Sequence, residues 1–339
     1  MLSFCSSLQI SSVEAALSAS RLGSYHSLVG ATAVDSAVGA YIWGLELNAA
    51  LSPLLSMVEV VLRNSIHSSA SAHFSTPRWY QSVLKNEGDV QFPLKAAADA
   101  TLAQRNYRKG IPPYDKRKVW VGTQQKDLKH WRSQSEARLD EIVTRLKQDG
   151  KPQTPDQIVA HTMFGFWLGV LGPTFESHTD PLSLWPNCLS ATFPNDPNMT
   201  RARAHQLLVR IKDLRNRVSH HEPAWRLANP LTPAGVNATL TVRVAEMREL
   251  LNAMAPDVNQ LLSNVGLFDR LSWLLDPQTI AAFAGQHTIA AVDLRALFRK
   301  VKQLAQQAHS KAAAPIPQPN RAVALHHAGK TLMTVVPHY

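Results

Sequence analysis

The chain has 339 residues, 45% of them hydrophobic and 18% charged. That composition excludes a disordered or fibrous chain and allows one large or two ordinary domains with a substantial core. Lys and Arg number 35 against 25 Asp and Glu, a net charge of +10 with a sequence pI near 9.7. This balance suits a polyanionic partner, because cationic side chains release counterions from a phosphate backbone.

The only cysteines are Cys5 and Cys188, which excludes a disulfide framework and a thiolate metal site and fits a reducing cytosol. The N-terminus, Met1-Leu2-Ser3-Phe4-Cys5, has no basic residue before Arg21, unlike a secretory signal. No stretch reaches the roughly 18 uninterrupted apolar residues of a membrane span. The expected location is cytoplasmic, away from any membrane.

Helical periodicity runs through most of the chain. From about Asp35 to Leu51 the residues Val38, Tyr41, Ile42, Leu45 and Ala49 outline an amphipathic helix. Ser52-Pro53 then predicts a restart, with Ser as N-cap and Pro at the first helical position. Leu54, Leu55, Val58, Val61, Leu62 and Ile66 follow at helical spacing. Glu59, Arg63 and His67, four apart, form a polar stripe on the same helix. Taken alone, this stripe reads as a solvated face.

Residues 103–132 break the pattern. Arg105, Arg108, Lys109, Lys116, Arg117, Lys118, Lys126, Lys129 and Arg132 are interleaved with Tyr107, Tyr114, Trp120 and Trp131, and Pro112-Pro113 excludes a continuous helix. An irregular basic segment of this kind can track a phosphate backbone and stack unpaired bases. The bland alternative for any one of these residues is a solvated surface loop.

Ser133-x-x-Glu136 predicts a capping box opening a helix that stops at Gly150. Thr154-Pro155-Asp156-Gln157 opens another, carrying Ile158, Phe164, Trp167 and Leu168 to a stop at Gly172-Pro173. Residues 186–198, crowded with Pro, Asn and Asp, predict a loop. A helix from about Thr200 places Leu207, Ile211, Leu214 and Val218 on one face and ends by Glu222, because Pro223 disfavours the α conformation before it. Residues 240–264, 267–275 and 292–308 are predicted helical. Beyond residue 308 the prolines at 315, 317, 319 and 337 and the absence of period predict a flexible tail, 309–339.

The richest segment is Leu214-Arg215-Asn216-Arg217-Val218-Ser219-His220-His221-Glu222-Pro223. It gathers a permanent cation, an amide and an imidazole at the end of a helix whose apolar face is already accounted for. Cleavage of RNA by internal attack needs a group to move a proton at the 2′-hydroxyl or the leaving 5′-oxygen, and a cation for the phosphorane charge. His220 suits the first task near neutrality, and Arg215 offers a planar fork for phosphate oxygens. Asn216 can position the phosphate or the imidazole. The bland alternative is that cations favour the negative end of a helix dipole. His220-His221 and His326-His327 lack the spacing of a zinc site, and no glycine-rich phosphate loop or serine elbow is present, so neither metal nor cofactor is expected.

Arg215-Asn216-x-x-x-His220 resembles the signature of the HEPN superfamily, and the longer string through Pro223 resembles its Abi-like (abortive infection) branch. Three further strings fall in the order of that family. They are Glu59-Val60-Val61-Leu62-Arg63-Asn64-Ser65-Ile66 preceded by Tyr41-Ile42-Trp43-Gly44-Leu45-Glu46-Leu47-Asn48, then Phe164-Gly165-Phe166-Trp167, then Leu184-Trp185-Pro186. The likeness spans roughly residues 15–230.

It implies an all-α, HEPN-like helical bundle with additional N-terminal and C-terminal helices, in one domain over 10–308. It also implies metal-independent endoribonuclease activity on RNA in phage defence or a toxin–antitoxin system, a homodimer that brings two motifs to one cleft, and an antitoxin or immunity protein as a further partner. Arg215, Asn216, His220 and His221 are the expected catalytic set, with His221 able to share or replace the role of His220. Glu59, Arg63 and Asn64 are expected to orient that set. Arg105, Arg108, Lys109, Lys116, Arg117 and Lys118 are expected to bind RNA. Some members of the superfamily have lost catalysis and only bind RNA, nucleotide or a protein partner, which is the alternative function.

Overall fold

The protein is described here from a computed structural model, which covers residues 7–84, 118–121, 124–127, 134–286, 291–292, 299, 323–327 and 330–335. The fold is all-α in class. Its helices span Ser7–Leu17, Ala19–Val29, Val34–His73, Gln134–Gln148, Pro155–His161, Phe164–Val170, Leu189–Thr192, Arg201–Ser219, Pro233–Met254, Pro256–Asn264, Leu267–Leu275 and Pro277–Phe283. Residues 79–84 are also helical, and two short 3₁₀ turns occupy Pro173–Phe175 and Ala224–Leu227.

Strands are few and short. Lys118–Val121 pairs antiparallel with Gln124–Asp127, so part of the predicted irregular basic segment is a hairpin. Val323–His327 pairs antiparallel with Lys330–Val335 and parallel with Ala291–Val292. Val323–His327 and Lys330–Val335 fall within the predicted tail, 309–339.

The chain divides into two compact units. The first comprises Met1–Leu55, Leu214–Glu246 and Asp257–Tyr339, the second Ser56–Asp213 and Met247–Pro256.

The Val34–His73 helix is continuous, where the sequence predicts a restart at Ser52-Pro53. Pro53 lies on the exposed side, next to exposed Ser52 and one turn from exposed Ala49, so the carbonyl that loses its N–H partner faces outward. Ser52 Oγ donates to the carbonyl of Asn48 at 2.9 Å, adding a bond just before the gap. Trp43, Leu47, Leu51, Leu54, Val58, Leu62 and Ile66 are fully buried and define one stripe along its length. In the first half this stripe departs from the predicted face, since Leu45 is 50% exposed and Ala49 is exposed while Trp43 and Leu47 turn inward. The helix is long and apolar enough to cross a membrane. The stripe named above is buried in the protein, and Glu46, Glu59 and Arg63 lie on the rest of the helix.

Within the first unit, Trp43 Nε1 donates to the carbonyl of Leu274 at 2.7 Å. A Cβ at Gly39 would lie 2.0 Å from the carbonyl oxygen of Phe283, so only glycine permits this approach of two helices. Tyr25 sits edge-on to both Tyr41 and Trp225, with ring centroids 5.4 and 5.0 Å apart. Burial pushes the Tyr25 hydroxyl up to about 12.

Within the second unit, Trp79, Trp167 and Trp185 are fully buried. Trp185 Nε1 donates to the carbonyl of Val170 at 3.0 Å, and the hydroxyls of Ser69 and Thr192 bond each other at 2.7 Å. Gln134–Gln148 stops as predicted at Gly150, which has φ +64 and whose neighbour Lys151 returns its N–H to the carbonyl of Leu146. The helix predicted from Pro155 to Gly172 is broken at Thr162-Met163, both extended, where Thr162 Oγ1 donates back to the carbonyl of Val159. The predicted 240–264 helix is likewise two, divided at Pro256. A four-residue helix lies inside the predicted 186–198 loop, and Pro277–Phe283 adds a helix not predicted. Of the predicted helix 292–308, only Val292 and Arg299 fall among the described residues.

Candidate active site at the end of the Arg201–Ser219 helix

Ala204, Leu207, Leu208, Ile211 and Leu214 are all fully buried. Burying such a face, at roughly 1.5–3 kcal/mol per leucine or isoleucine side chain, fixes the rotation of the helix. Arg215, Asn216, Arg217 and Val218 are left half-buried, and Ser219, His220 and His221 are exposed.

The end of the helix follows a defined hydrogen-bond pattern. The His220 N–H reaches the carbonyl of Asn216 at 2.9 Å, so helical bonding continues one residue past Ser219. The His221 N–H then bonds the carbonyl of Val218 at 3.2 Å, and the Glu222 N–H closes back to the carbonyl of Arg217 at 2.8 Å. This six-residue closure places His221 in the left-handed region, with φ 55. The position ordinarily favours glycine, and a side chain there costs roughly 1–2 kcal/mol. The Arg217 guanidinium spans the same turn to the Glu222 carboxylate at 3.1 Å.

Two consequences follow for the predicted residues. Asn216 and His220 are one helical turn apart, so their Cβ atoms lie about 40° apart around the axis at ~100° per residue. The imidazole of His220 rises from the same face as the Asn216 amide. His221, in contrast, leaves the helix in a different direction. Arg215 precedes Asn216 and lies about 140° from His220 on the same count.

Two groups missed by sequence reasoning also meet this turn within the first unit. Arg21 Nη2 donates to the carbonyl of His221 at 2.9 Å, and Asn48 Nδ2 donates to the carbonyl of Glu222 at 3.2 Å. Asn48 stands in the string Tyr41–Asn48, but nothing in its local spacing signals a partner 174 residues away.

Glu59, Arg63 and Asn64 belong to the second unit, on the Val34–His73 helix; Glu59 and Arg63 are half-buried and Asn64 is exposed. Arg63 Nη1 donates to the carbonyl of Ala160 at 3.1 Å, near the end of Pro155–His161. His67 accepts a hydrogen bond from Trp79 Nε1 at 3.1 Å, and desolvation holds its pKa below the usual value despite the nearby Asp156 carboxylate. Arg63 and His67, in the stripe that reads from sequence as a solvated face, thus each make a side-chain bond within the second unit. Lys118 opens the short strand Lys118–Val121, while Arg105, Arg108, Lys109, Lys116 and Arg117 lie outside the described residues.

Among the described residues no three His, Cys, Asp or Glu side chains gather in a metal-binding cluster. Cys188 is buried, and burial pushes its thiol up to about 12, far from a reactive thiolate. No protein-family model, curated protein or solved structure matches the chain, so the likeness to the Abi-like branch rests on its four motifs.

Proposed function

We propose that the chain is a metal-independent RNA endonuclease of the HEPN type, acting in phage defence or as part of a toxin–antitoxin pair. His220 moves the proton, either taking it from the 2′-hydroxyl or giving it to the leaving 5′-oxygen. Arg215 bears on the phosphate oxygens and stabilises the charge that develops on them. Asn216, on the same helical face as His220, orients the imidazole or the phosphate. A second copy of the chain contributes a second motif, and an antitoxin or immunity protein restrains the activity in the cytoplasm.

One observation carries this reading: His220 is exposed at a helix end, one turn on from Asn216 and five residues on from Arg215. A large polyanion has access to such an exposed position, where the side-chain cations Arg215 and Arg217 outweigh the partial negative charge of the helix end. The test is cleavage of total RNA by the purified protein in EDTA. His220→Ala and Arg215→Ala are each expected to lower the rate by about 10²–10⁴-fold while RNA binding persists. Equal cutting by His220→Ala would contradict the assignment. Binding without cutting by the wild type would leave a non-catalytic RNA-binding module.

A further inference from the structure

The turn that follows His220 is braced by two side chains to which the chemistry above gives no task. Arg21 approaches from the Ala19–Val29 helix and Asn48 from the Val34–His73 helix. Each donates to one of two consecutive carbonyls, those of His221 and Glu222. The turn itself carries a residue, His221, in a conformation that glycine would adopt freely. External donors on the carbonyls at and after that residue offset the conformational cost.

The Asn48 amide is committed to this task. Its Oδ1 is buried and has no hydrogen-bond partner, so the bond to Glu222 is what its polar end makes within the unit. Turning the amide over would set oxygen against the Glu222 carbonyl oxygen and lose that bond. Leaving a buried acceptor unpaired is a desolvation cost that is hard to explain for a residue with no directional role.

Holding the peptide planes of 221 and 222 fixes where the helix stops. It stops after the His220 N–H has bonded to Asn216, and before His221 can join the same face. We propose that Arg21 and Asn48 are positioning residues. By bracing the His221–Glu222 backbone they align the His220 imidazole over Asn216 and turn His221 away, dividing two adjacent histidines into one that serves the reaction and one that serves the turn. The kinetic consequence rests on the nuclease reading, whereas the geometric one does not.

The experiment pairs kinetics with a measurement that needs no activity. In the Arg21→Ala/Asn48→Ala double variant, kcat for RNA cleavage is expected to fall about ten- to a hundredfold with KM unchanged. Arg21→Lys, which still offers an N–H to the His221 carbonyl, is expected to recover most of the Arg21 share. With ¹³Cε1-labelled histidine, the His220 ring signal, assigned with His220→Gln, is expected to lose order in the double variant. The single Asn48→Ala variant gives the same readout should the double variant fail to fold. Unchanged ring order, even beside a lowered Tm, would overturn the proposal and leave a merely structural brace. A wild type that cuts RNA, with kcat equal in the double variant, would also overturn it while leaving the nuclease reading intact. A wild type that never cuts, with ring order still lost in the variant, would remove the nuclease reading and keep the brace.

Discussion

Two polar clusters stand out in this sequence, and the structure uses them in opposite ways. In the stripe Glu59, Arg63, His67, the guanidinium of Arg63 is bonded to the Ala160 carbonyl and the ring of His67 to the indole N–H of Trp79. At the end of Arg201–Ser219, the bonds run the other way. Neighbouring side chains hold the backbone at His221 and Glu222, and the two imidazoles are exposed. A polar side chain already bonded within the fold has fewer donors and acceptors to spare than one left exposed on a held backbone. Sequence spacing alone does not distinguish the two, because both clusters sit on amphipathic helices with the same residue types.

The sharpest way to break this comparison is to remove each imidazole in turn. His67→Ala leaves the indole N–H of fully buried Trp79 without an acceptor, and should cost about 1–3 kcal/mol of folding stability. Denaturant unfolding measures it. His220→Ala should leave stability within about 0.5 kcal/mol, as expected for a surface position. Equal losses of stability in the two variants would erase the contrast.

Arg63→Ala is the next in size. Its bond to the Ala160 carbonyl is charge-assisted but partly exposed, so the loss should be about 1 kcal/mol, read from the same unfolding curves. If the variant instead lost cleavage with stability unchanged, Arg63 would belong with the orienting residues expected from the family resemblance.

The smallest effect is in pH. Desolvation lowers the pKa of His67, and burial together with the Arg201 charge lowers that of His205. For both, the unfolded chain binds protons more readily than the folded one. Their contribution to stability is therefore complete above the unfolded value of about 6.5 and declines as pH falls through the lower folded values. Melting temperature should drop on acidification from pH 7 to pH 5, and less steeply in His67→Gln than in the wild type. A steeper drop in the variant would contradict the sign.

Much of the helical framework is legible from periodicity. Leu54, Leu55, Val58, Leu62 and Ile66, and Leu207, Ile211 and Leu214, are buried as their spacing predicts, while Val61 and Val218 of the same predicted faces are half-buried; Gly150 ends its helix through a left-handed turn. The errors have physical causes. Pro53 reads as a helix start but sits on an exposed side, where the orphaned carbonyl of Ala49 is tolerated. Thr162-Met163 carries no Gly or Pro, yet a threonine hydroxyl bonding three residues back ends the helix there. The candidate motif is legible as a string. The brace is not, because Arg21 and Asn48 reach it across 200 and 174 residues of chain. Nor is the left-handed His221, since histidine announces such a conformation far less than glycine does.

In the proposed reaction, Arg215 and His220 act on one phosphodiester through attack by its neighbouring 2′-hydroxyl. The most direct test is the chemistry of the cut ends, using an RNA oligonucleotide that contains a mapped cleavage site beside a copy with a single 2′-deoxy substitution at that site. The account predicts a 2′,3′-cyclic phosphate and a 5′-hydroxyl from the first and no cut in the second. Cleavage of the deoxy-substituted strand at the same rate, or ends bearing a 5′-phosphate, would contradict it.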